Sequence, residues 1–167
     1  MKISGRNLAL RLQLLGNRLS RIKHRKGHGV HSPFVYSLVR KVFMRKDLFD
    51  GTGSELYDVL RANGLSVKSA RQLHNLIFHI EAKGYSINKV GGEVSILLPD
   101  YPTEGLREAL EVAKRERLTL VVCQPYANRE RHREVVALLD DHRSTSVDNR
   151  AYILFFNNHL PKQHYRL

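Results

Sequence analysis

The apolar positions near the start of the chain recur with the period of a helix. Five of them, spaced four, three, four and three residues apart, form one stripe: Leu8, Leu12, Leu15, Leu19 and Ile22. Such a stripe is typical of an amphipathic helix whose apolar side is covered. The pattern predicts a helix that packs on its own domain or on a second copy of it. A membrane surface and nucleic acid are the alternative partners.

Two further helices are predicted before residue 85. The first begins at Ser32-Pro33, because proline suits the first position of a helix. Its apolar positions are Phe34, Leu38 and Val42. The second begins at Ser66 or Ser69 and ends at Gly84. In this helix, His74 and His79 are expected at half-buried or exposed positions.

The second half of the chain contains short strand-like runs. Residues 85–90 and 93–98 are two of them, and the pair Gly91-Gly92 between them is typical of a tight hairpin. We expect the two runs to pair antiparallel, so that the first covers the edge of the second.

Downstream, the apolar pattern alternates between helix and strand. Helices are predicted over 104–117 and 129–142, and strands over 118–123, 145–147 and 151–156. This succession indicates an α/β layer with right-handed crossovers. The expected fold class is α/β, with a truncated Rossmann-like sheet after a basic helical region. The expected parts are a basic arm (1–46), a helical segment (47–84) and the sheet domain (85–167).

Charge is distributed unevenly along the chain. The formal net charge is +12, and all of it comes from the first 46 residues, which contain twelve basic residues and no acidic one. Such a region is expected to face nucleic acid, an anionic membrane surface or an acidic protein. The residues assigned to this contact are Arg11, Arg18, Arg21, Lys23, Arg25 and Lys26.

Composition excludes several classes of protein. With 42% hydrophobic and 26% charged residues, the 167-residue chain is suited to one globular domain rather than to disorder. No apolar run approaches the roughly 20 residues that span a bilayer, and the N-terminus lacks the apolar core of a signal peptide. Cys123 is the only cysteine, which excludes an intrachain disulfide. We expect a cytoplasmic protein without a transmembrane segment.

The candidate ligand site lies where parallel strands end, since open α/β sheets bind ligands beyond the carboxyl ends of their strands. Asp100 and Tyr101 follow one predicted strand, and Gln124 and Tyr126 follow the next. Asp100 and Gln124 are the candidate cofactor-binding residues. A structural role, with Asp100 as the cap of the next helix, is favoured over a ligand site, and no residue stands out as catalytic.

Other features suit structure better than chemistry. The histidines at 24, 28 and 31 would share a zinc site only on a continuous helix, which the glycines at 27 and 29 oppose. Asp140 and Asp141 point about 100° apart on a helix and are expected to be solvated rather than metal-bound. Cys123 ends an apolar strand and is expected to pack rather than to react. Residues 50–54 (Asp-Gly-Thr-Gly-Ser) contain the glycines of a phosphate loop without a preceding strand, which favours a turn or a helix cap.

Three segments resemble an uncharacterised bacterial family of class I S-adenosylmethionine-dependent methyltransferases. Residues 28–36 (His-Gly-Val-His-Ser-Pro-Phe-Val-Tyr) are similar to its N-terminal signature, and residues 50–54 and 70–77 to its glycine segment and the helix before its catalytic domain. Residues 148–156, closing with Pro-Lys-Gln-His-Tyr at 161–165, are similar to its last strand pair and tail. The resemblance implies a Rossmann-like fold and S-adenosylmethionine as the cofactor.

The chain departs from the family pattern between these segments. Members carry a first strand, an acidic glycine loop for the methionine end of the cofactor, and a second strand ending in an acid for the ribose. Here the helix ending near Lys83 leads within a dozen residues to 93–98, which resembles a later family strand, and 118–123 ends in Cys123-Gln124 where acidic residues are expected.

Three functions fit these observations. The first is a degenerate methyltransferase relative that binds no cofactor and acts as a binding or oligomeric accessory protein, with a homodimer as one form. The second is an active small methyltransferase that binds S-adenosylmethionine, either alone or completed by a partner. The third is a nucleic-acid-binding module that uses the basic arm.

Overall fold

A mixed β-sheet with helices on both faces makes up the described part of the chain, residues 32–49 and 54–167 of a computed structural model. The helices are α1 (Pro33–Leu38), which continues as a π-helical segment over Val39–Phe43, α2 (Glu55–Ala62), α3 (Val67–His79), α4 (Leu106–Arg115) and α5 (Arg129–Asp141). The strands are β1 (Tyr85–Ile87), β2 (Val94–Leu97), β3 (Thr119–Cys123), β4 (Thr145–Asp148), β5 (Tyr152–Phe156) and β6 (Gln163–Arg166). The predicted α/β class is confirmed.

The sheet has the strand order β1-β2-β3-β5-β4-β6. The first three strands are parallel, β5 lies antiparallel between β3 and β4, and β6 is parallel to β4. All strands except β5 therefore run in the same direction. Their ends meet at one edge, here called the carboxyl edge, and the opposite edge is called the amino edge.

The antiparallel pairing predicted for the first two strands is wrong. β1 does cover the edge of β2, but the two strands are parallel, with Tyr85 opposite Val94 and Ile87 opposite Ile96. The chain leaves β1 at Asn88, whose φ of 53° is left-handed, and returns to the start of β2 over residues 88–93 without a helix.

Hydrogen bonds inside this connection explain the direction. The hydroxyl of Ser86 lies 2.8 Å from the carbonyl oxygens of both Lys89 and Gly91. The amide of Gly91 donates to the hydroxyl of Ser95 at 3.0 Å. The connection thus folds back onto the face of the sheet that carries Ser86 and Ser95. Its two glycines lie in this connection between parallel strands and do not form a hairpin turn.

Two apolar clusters hold the helices on the sheet. One packs the first three helices on one face, and the other packs α4 and α5 on the opposite face. Members of the first include Val35, Leu38, Leu60, Leu73, Ile96, Val121 and Leu154. Members of the second include Leu97, Leu106, Leu110, Val122, Val135, Leu138 and Ile153. The sheet is covered on both faces, which is why the run predicted as β3 is continuously apolar.

The predicted helix starts before residue 85 are confirmed. The side chain of Ser32 accepts from the amide of Val35 at 3.4 Å at the start of α1. Ser66 accepts from the amide of Ser69 at 3.1 Å at the start of α3. These caps satisfy amide groups that have no partner inside the helix.

Two elements were not predicted separately from the sequence. The helix α2 is short, and the strand β6 carries mostly exposed polar residues without an alternating pattern. The strand forms because its backbone pairs with β4, with Ser146 opposite His164. Among the described helices, none is long and apolar enough to cross a membrane.

Candidate functional site

The carboxyl edge brings together the residues that follow β2 and β3, as the sequence predicts, and the end of β4 lies at the same edge. Asp100 follows β2, Gln124 follows β3, and Asp148 is the last residue of β4. The hydrogen bonds of these residues decide whether they can act on one ligand.

Asp100 is held toward β1. Its Oδ1 accepts from Nδ2 of Asn88 at 3.0 Å, while Oδ1 of Asn88 accepts from the amide of Leu98 at 2.8 Å. The next helix begins at Leu106 with Gly105 at its cap position, so the predicted capping role of Asp100 is wrong. The carboxylate instead fixes the turn that ends β1.

Gln124 is held by its backbone toward β5. Its φ is 45°, and its amide donates to the carbonyl of Ala151 at 2.8 Å. The hydrogen bonds of Asp100 and Gln124 thus lead to different neighbours, Asp100 to the end of β1 and the backbone of Gln124 to the start of β5.

Arg131 fills the space between the ends of β2 and β3. It is 2% exposed, and its guanidinium donates to the carbonyls of Tyr101 at 2.7 Å, Leu98 at 3.3 Å and Cys123 at 3.2 Å. Burial lowers the pKa of this guanidinium, while Cys123 and Asp100 act in the opposite direction. The crevice that sequence reasoning assigned to a ligand holds a side chain of the protein itself.

Local structure places this arginine. Oδ1 of Asn128 caps α5 and accepts from the amide of Arg131 at 2.8 Å, which fixes the first turn of the helix at the carboxyl edge. Arg131, Val135 and Leu138 are spaced four and three residues apart and are all buried. That spacing places Arg131 on the apolar side of α5, but it does not by itself show that the guanidinium is buried.

A second buried polar group lies beside β4. Asp148 is fully buried, accepts from the amide of Arg150 at 2.7 Å and accepts from the hydroxyl of Tyr126. The ring of Tyr126 also packs against His132, with centroids 5.1 Å apart. The hydrogen bond between Tyr126 and Asp148 joins the loop after β3 to the end of β4.

The polar face of α3 holds the segment that leads to residue 50. Asn75 accepts from the amide of Phe49 at 2.7 Å and donates to the carbonyl of Asp47 at 2.9 Å. Gln72 donates to the carbonyl of Phe43 at 2.9 Å and accepts from the hydroxyl of Tyr152 at 3.2 Å. The segment 43–49 is therefore fixed next to the carboxyl edge.

His74 differs from its predicted position. It is only 1% exposed, and its Nε2 lies 3.3 Å from the carbonyl of Phe49. The burial arises because segment 43–49 covers this side of α3, which the sequence pattern of the helix does not reveal. His79 is partly buried, as predicted, and its Nε2 lies 3.2 Å from the hydroxyl of Ser37.

Cys123 is a packed thiol, as expected. It is 1% exposed, and burial raises its pKa to about 12, which the neighbouring Arg131 offsets only in part. The side chain is thus a neutral thiol near pH 7 and a poor nucleophile.

Several predicted features cannot be placed on this structure. The acidic-partner residues Arg11, Arg18, Arg21, Lys23, Arg25 and Lys26, the three histidines before residue 32 and residues 50–53 lie outside the described residues. Within residues 32–49 and 54–167, no group of three or more metal-ligating side chains could hold a metal ion. Asp140 and Asp141 are not buried, which agrees with the predicted solvated positions.

Comparison with known proteins adds no family to this description. No family model, no curated protein and no solved structure matches the chain.

Proposed function

We propose that this chain is a shortened relative of class I methyltransferases that lacks the cofactor-binding half and acts as a non-catalytic binding protein. The observation that carries the proposal is the buried guanidinium of Arg131, whose three carbonyl partners line the crevice between β2 and β3. A ligand at that point would have to displace a buried charge from its hydrogen bonds. Breaking such bonds without replacing them costs several kcal/mol, on the order of 1–3 for each polar group left unpaired.

The connection between β1 and β2 supports the same proposal. A nucleotide-type site needs a strand, a glycine loop and a helix whose N-terminal amides face the anionic end of the ligand. Here residues 88–93 return directly to the sheet without a helix. No helix N-terminus follows β1 to receive the methionine carboxylate.

The relation to methyltransferases rests on the sequence resemblance, and two features of the sheet agree with it. The antiparallel pair of β4 and β5 lies where the resemblance implies the last strand pair. The strand order from β2 onward also keeps an open α/β sheet, as a truncated Rossmann-like domain would.

Calorimetric titration of the full chain with S-adenosylmethionine tests the proposal. We expect no heat of binding up to about 1 mM, the concentration that would detect even weak affinity. The variant Asp100→Ala is the matched control, since Asp100 is the acid that follows the central strand β2. Saturable binding that Asp100→Ala removes would favour the active methyltransferase instead.

Nucleic-acid binding is the second candidate, and a specific observation favours it. The four basic residues that end the N-terminal region are all exposed: Arg40, Lys41, Arg45 and Lys46. The guanidinium of Arg45 lies 4.2 Å from the centre of the Phe49 ring. If these charges contact phosphates, log K for duplex DNA should fall with log[salt] by about 0.9 per contact. The variant Lys41→Gln/Lys46→Gln should lower that slope by about 2, and an unchanged slope would exclude these two residues.

A further inference from the structure

A cavity opens at the amino edge, at the opposite ends of the strands from the candidate site. Its volume is about 490 Å³, and it lies between the end of α4, the connection from α5 to β4 and the residues after β5. This volume is in the range of roughly 300–1,000 Å³ that is typical of small-molecule sites.

The side chains around the cavity carry positive charge from separate parts of the chain. Lys114 comes from the last turn of α4, Arg117 from the turn before β3, and Arg143 from the connection after α5. Among the described residues that line the cavity there is no Asp or Glu. Three cations around a space without a carboxylate create a potential that attracts an anion.

The ends of helices explain only part of this charge. A lysine in the last turn of α4 is favourable because helix C-termini carry partial negative charge, and Lys114 also pairs with Glu111 at 2.7 Å. That account does not require Arg143, which follows α5, or His159, which follows β5, to face the same space.

Buried polar atoms with incomplete hydrogen bonding mark the same place. Among the cavity-lining residues, Oδ1 of Asn157 is buried without a hydrogen-bond partner. The ring nitrogens of His142 form no hydrogen bond of ordinary length and angle, although the ring faces the backbone at Thr145 and Phe156. His142 and Asn157 are 2% and 8% exposed. Buried polar groups are normally paired, so these incomplete pairings point to a ligand that supplies the partners.

We propose that the amino-edge cavity binds a small phosphate ester that also carries hydroxyl groups, such as a sugar phosphate. The phosphate pairs with the guanidinium groups of Arg117 and Arg143 and with the ammonium group of Lys114, because charge-assisted bonds to phosphate are the strongest available there. Hydroxyl groups complete the pairing: the Oδ1 of Asn157 is an acceptor, and the imidazole of His142 offers one donor and one acceptor when neutral.

The proposal is tested by calorimetric titration of the full chain with ribose 5-phosphate, with inorganic phosphate and ribose as the two halves of the ligand. We expect saturable binding of ribose 5-phosphate with a Kd below about 1 mM, weaker binding of phosphate and none of ribose. The ring protons of His142 should shift in the NMR spectrum as ribose 5-phosphate is added.

A pair of double variants locates the site. Arg117→Gln/Arg143→Gln should raise the Kd of ribose 5-phosphate by at least about tenfold. Arg115→Gln/Arg133→Gln removes the same charge from positions of α4 and α5 that do not line the cavity, and should leave the Kd within about twofold.

Three outcomes would overturn the proposal. One is no saturable heat with ribose 5-phosphate or phosphate up to about 10 mM. Another is equal weakening in both double variants, which would assign the phosphate to the general positive charge of the chain. The last is binding of a single-stranded oligonucleotide without binding of ribose 5-phosphate. The cavity and the carboxyl edge lie at opposite ends of the strands. These outcomes therefore leave the prediction for S-adenosylmethionine unaffected.

Discussion

At the scale of single residues, Arg131 has the largest effect on what the carboxyl edge can do. Its guanidinium lies between the ends of β2 and β3 and ties both to the first turn of α5. An arginine at this depth is uncommon, because a buried charge costs desolvation energy unless its donors are well paired.

Replacing this arginine should destabilise the fold. Arg131→Ala leaves the carbonyls of Leu98, Tyr101 and Cys123 without their donor, so we expect the free energy of unfolding to fall by about 2–4 kcal/mol. Urea unfolding measures the change. Arg129→Ala, at an exposed position of the same helix, is the control and should stay within about 0.5 kcal/mol of the original chain. Equal effects of the two variants would mean that the carbonyl contacts do not stabilise the protein.

His142 should make stability depend on pH. Burial lowers its pKa in the folded chain, and the positive charges of Lys114 and Lys162 act in the same direction. Together they outweigh the hydrogen bonds to the backbone at Thr145 and Phe156, which raise the pKa. Between the lowered pKa and the ordinary value of about 6.5, the unfolded chain binds a proton that the folded chain does not. The stability present above about pH 6.5 is therefore lost as the pH falls through the folded pKa.

The measurement is urea unfolding from pH 8 to pH 5.5 for the original chain and for His142→Gln. We expect a shallower loss of stability in the variant, once both curves are aligned at pH 8 to remove the direct effect of the substitution. His79 accounts for part of the remaining slope, because burial and the charge of Lys41 also lower its pKa. Parallel curves would contradict the role of His142.

At the scale of elements, the compact connection between β1 and β2 is the main departure from an ordinary α/β unit. Parallel neighbours are usually joined by a crossover of a dozen or more residues. Here residues 88–93 suffice, because the hydroxyls of Ser86 and Ser95 bind the returning backbone and Gly92 adopts a φ of 64°.

Gly92 should tolerate no side chain. A Cβ at this position would lie 3.0 Å from the backbone C and O of Gly84, in addition to the cost of the left-handed conformation. Gly64 has a φ of 81°, but a Cβ there would meet no atom within 4 Å, so Gly64→Ala measures the conformational cost alone. We expect Gly64→Ala to cost about 1–2 kcal/mol.

Gly92→Ala should lower the free energy of unfolding, measured with urea, clearly more than Gly64→Ala does, because backbone atoms must also move apart. The difference between the two losses of free energy measures the effect of the close approach of Gly84 to Gly92. If both cost the same, the connection is looser than the distances at Gly92 indicate.

The sequence predicted elements better than it predicted their pairing. The helices α3, α4 and α5 and the strand β3 follow from periodicity, because one side of each helix and both faces of the strand are apolar. The direction of β1 depends on side-chain bonds to a loop, and a glycine pair is equally compatible with a hairpin. The strand β6 depends on pairing with residues nearly twenty positions earlier, such as Ser146 with His164.

The positions of the candidate residues could be predicted, but not their surroundings. The rule for open sheets placed Asp100 and Gln124 at the carboxyl edge, where they follow β2 and β3. The pattern could not show that Arg131 turns inward, because an arginine at the margin of an apolar stripe more often extends its charged end to water.

At the scale of the whole molecule, the two edges of the sheet have opposite properties. At the carboxyl edge, hydrogen bonds of Arg131 bridge the ends of β2 and β3, whereas the amino edge has a cavity lined by basic side chains. The chain also has a formal net charge of +12, all of which comes from the first 46 residues. We therefore expect the protein to bind anions without acting on S-adenosylmethionine.

The central claim is that the carboxyl edge no longer binds S-adenosylmethionine. Amide chemical shifts of the full, ¹⁵N-labelled chain, recorded during titration with S-adenosylmethionine, test it most directly, because they report on each position of that edge. We expect no saturable shifts at the amides of Leu98, Asp100, Gln124 and Arg131. Saturable shifts at these amides that reach a plateau with added S-adenosylmethionine would contradict it.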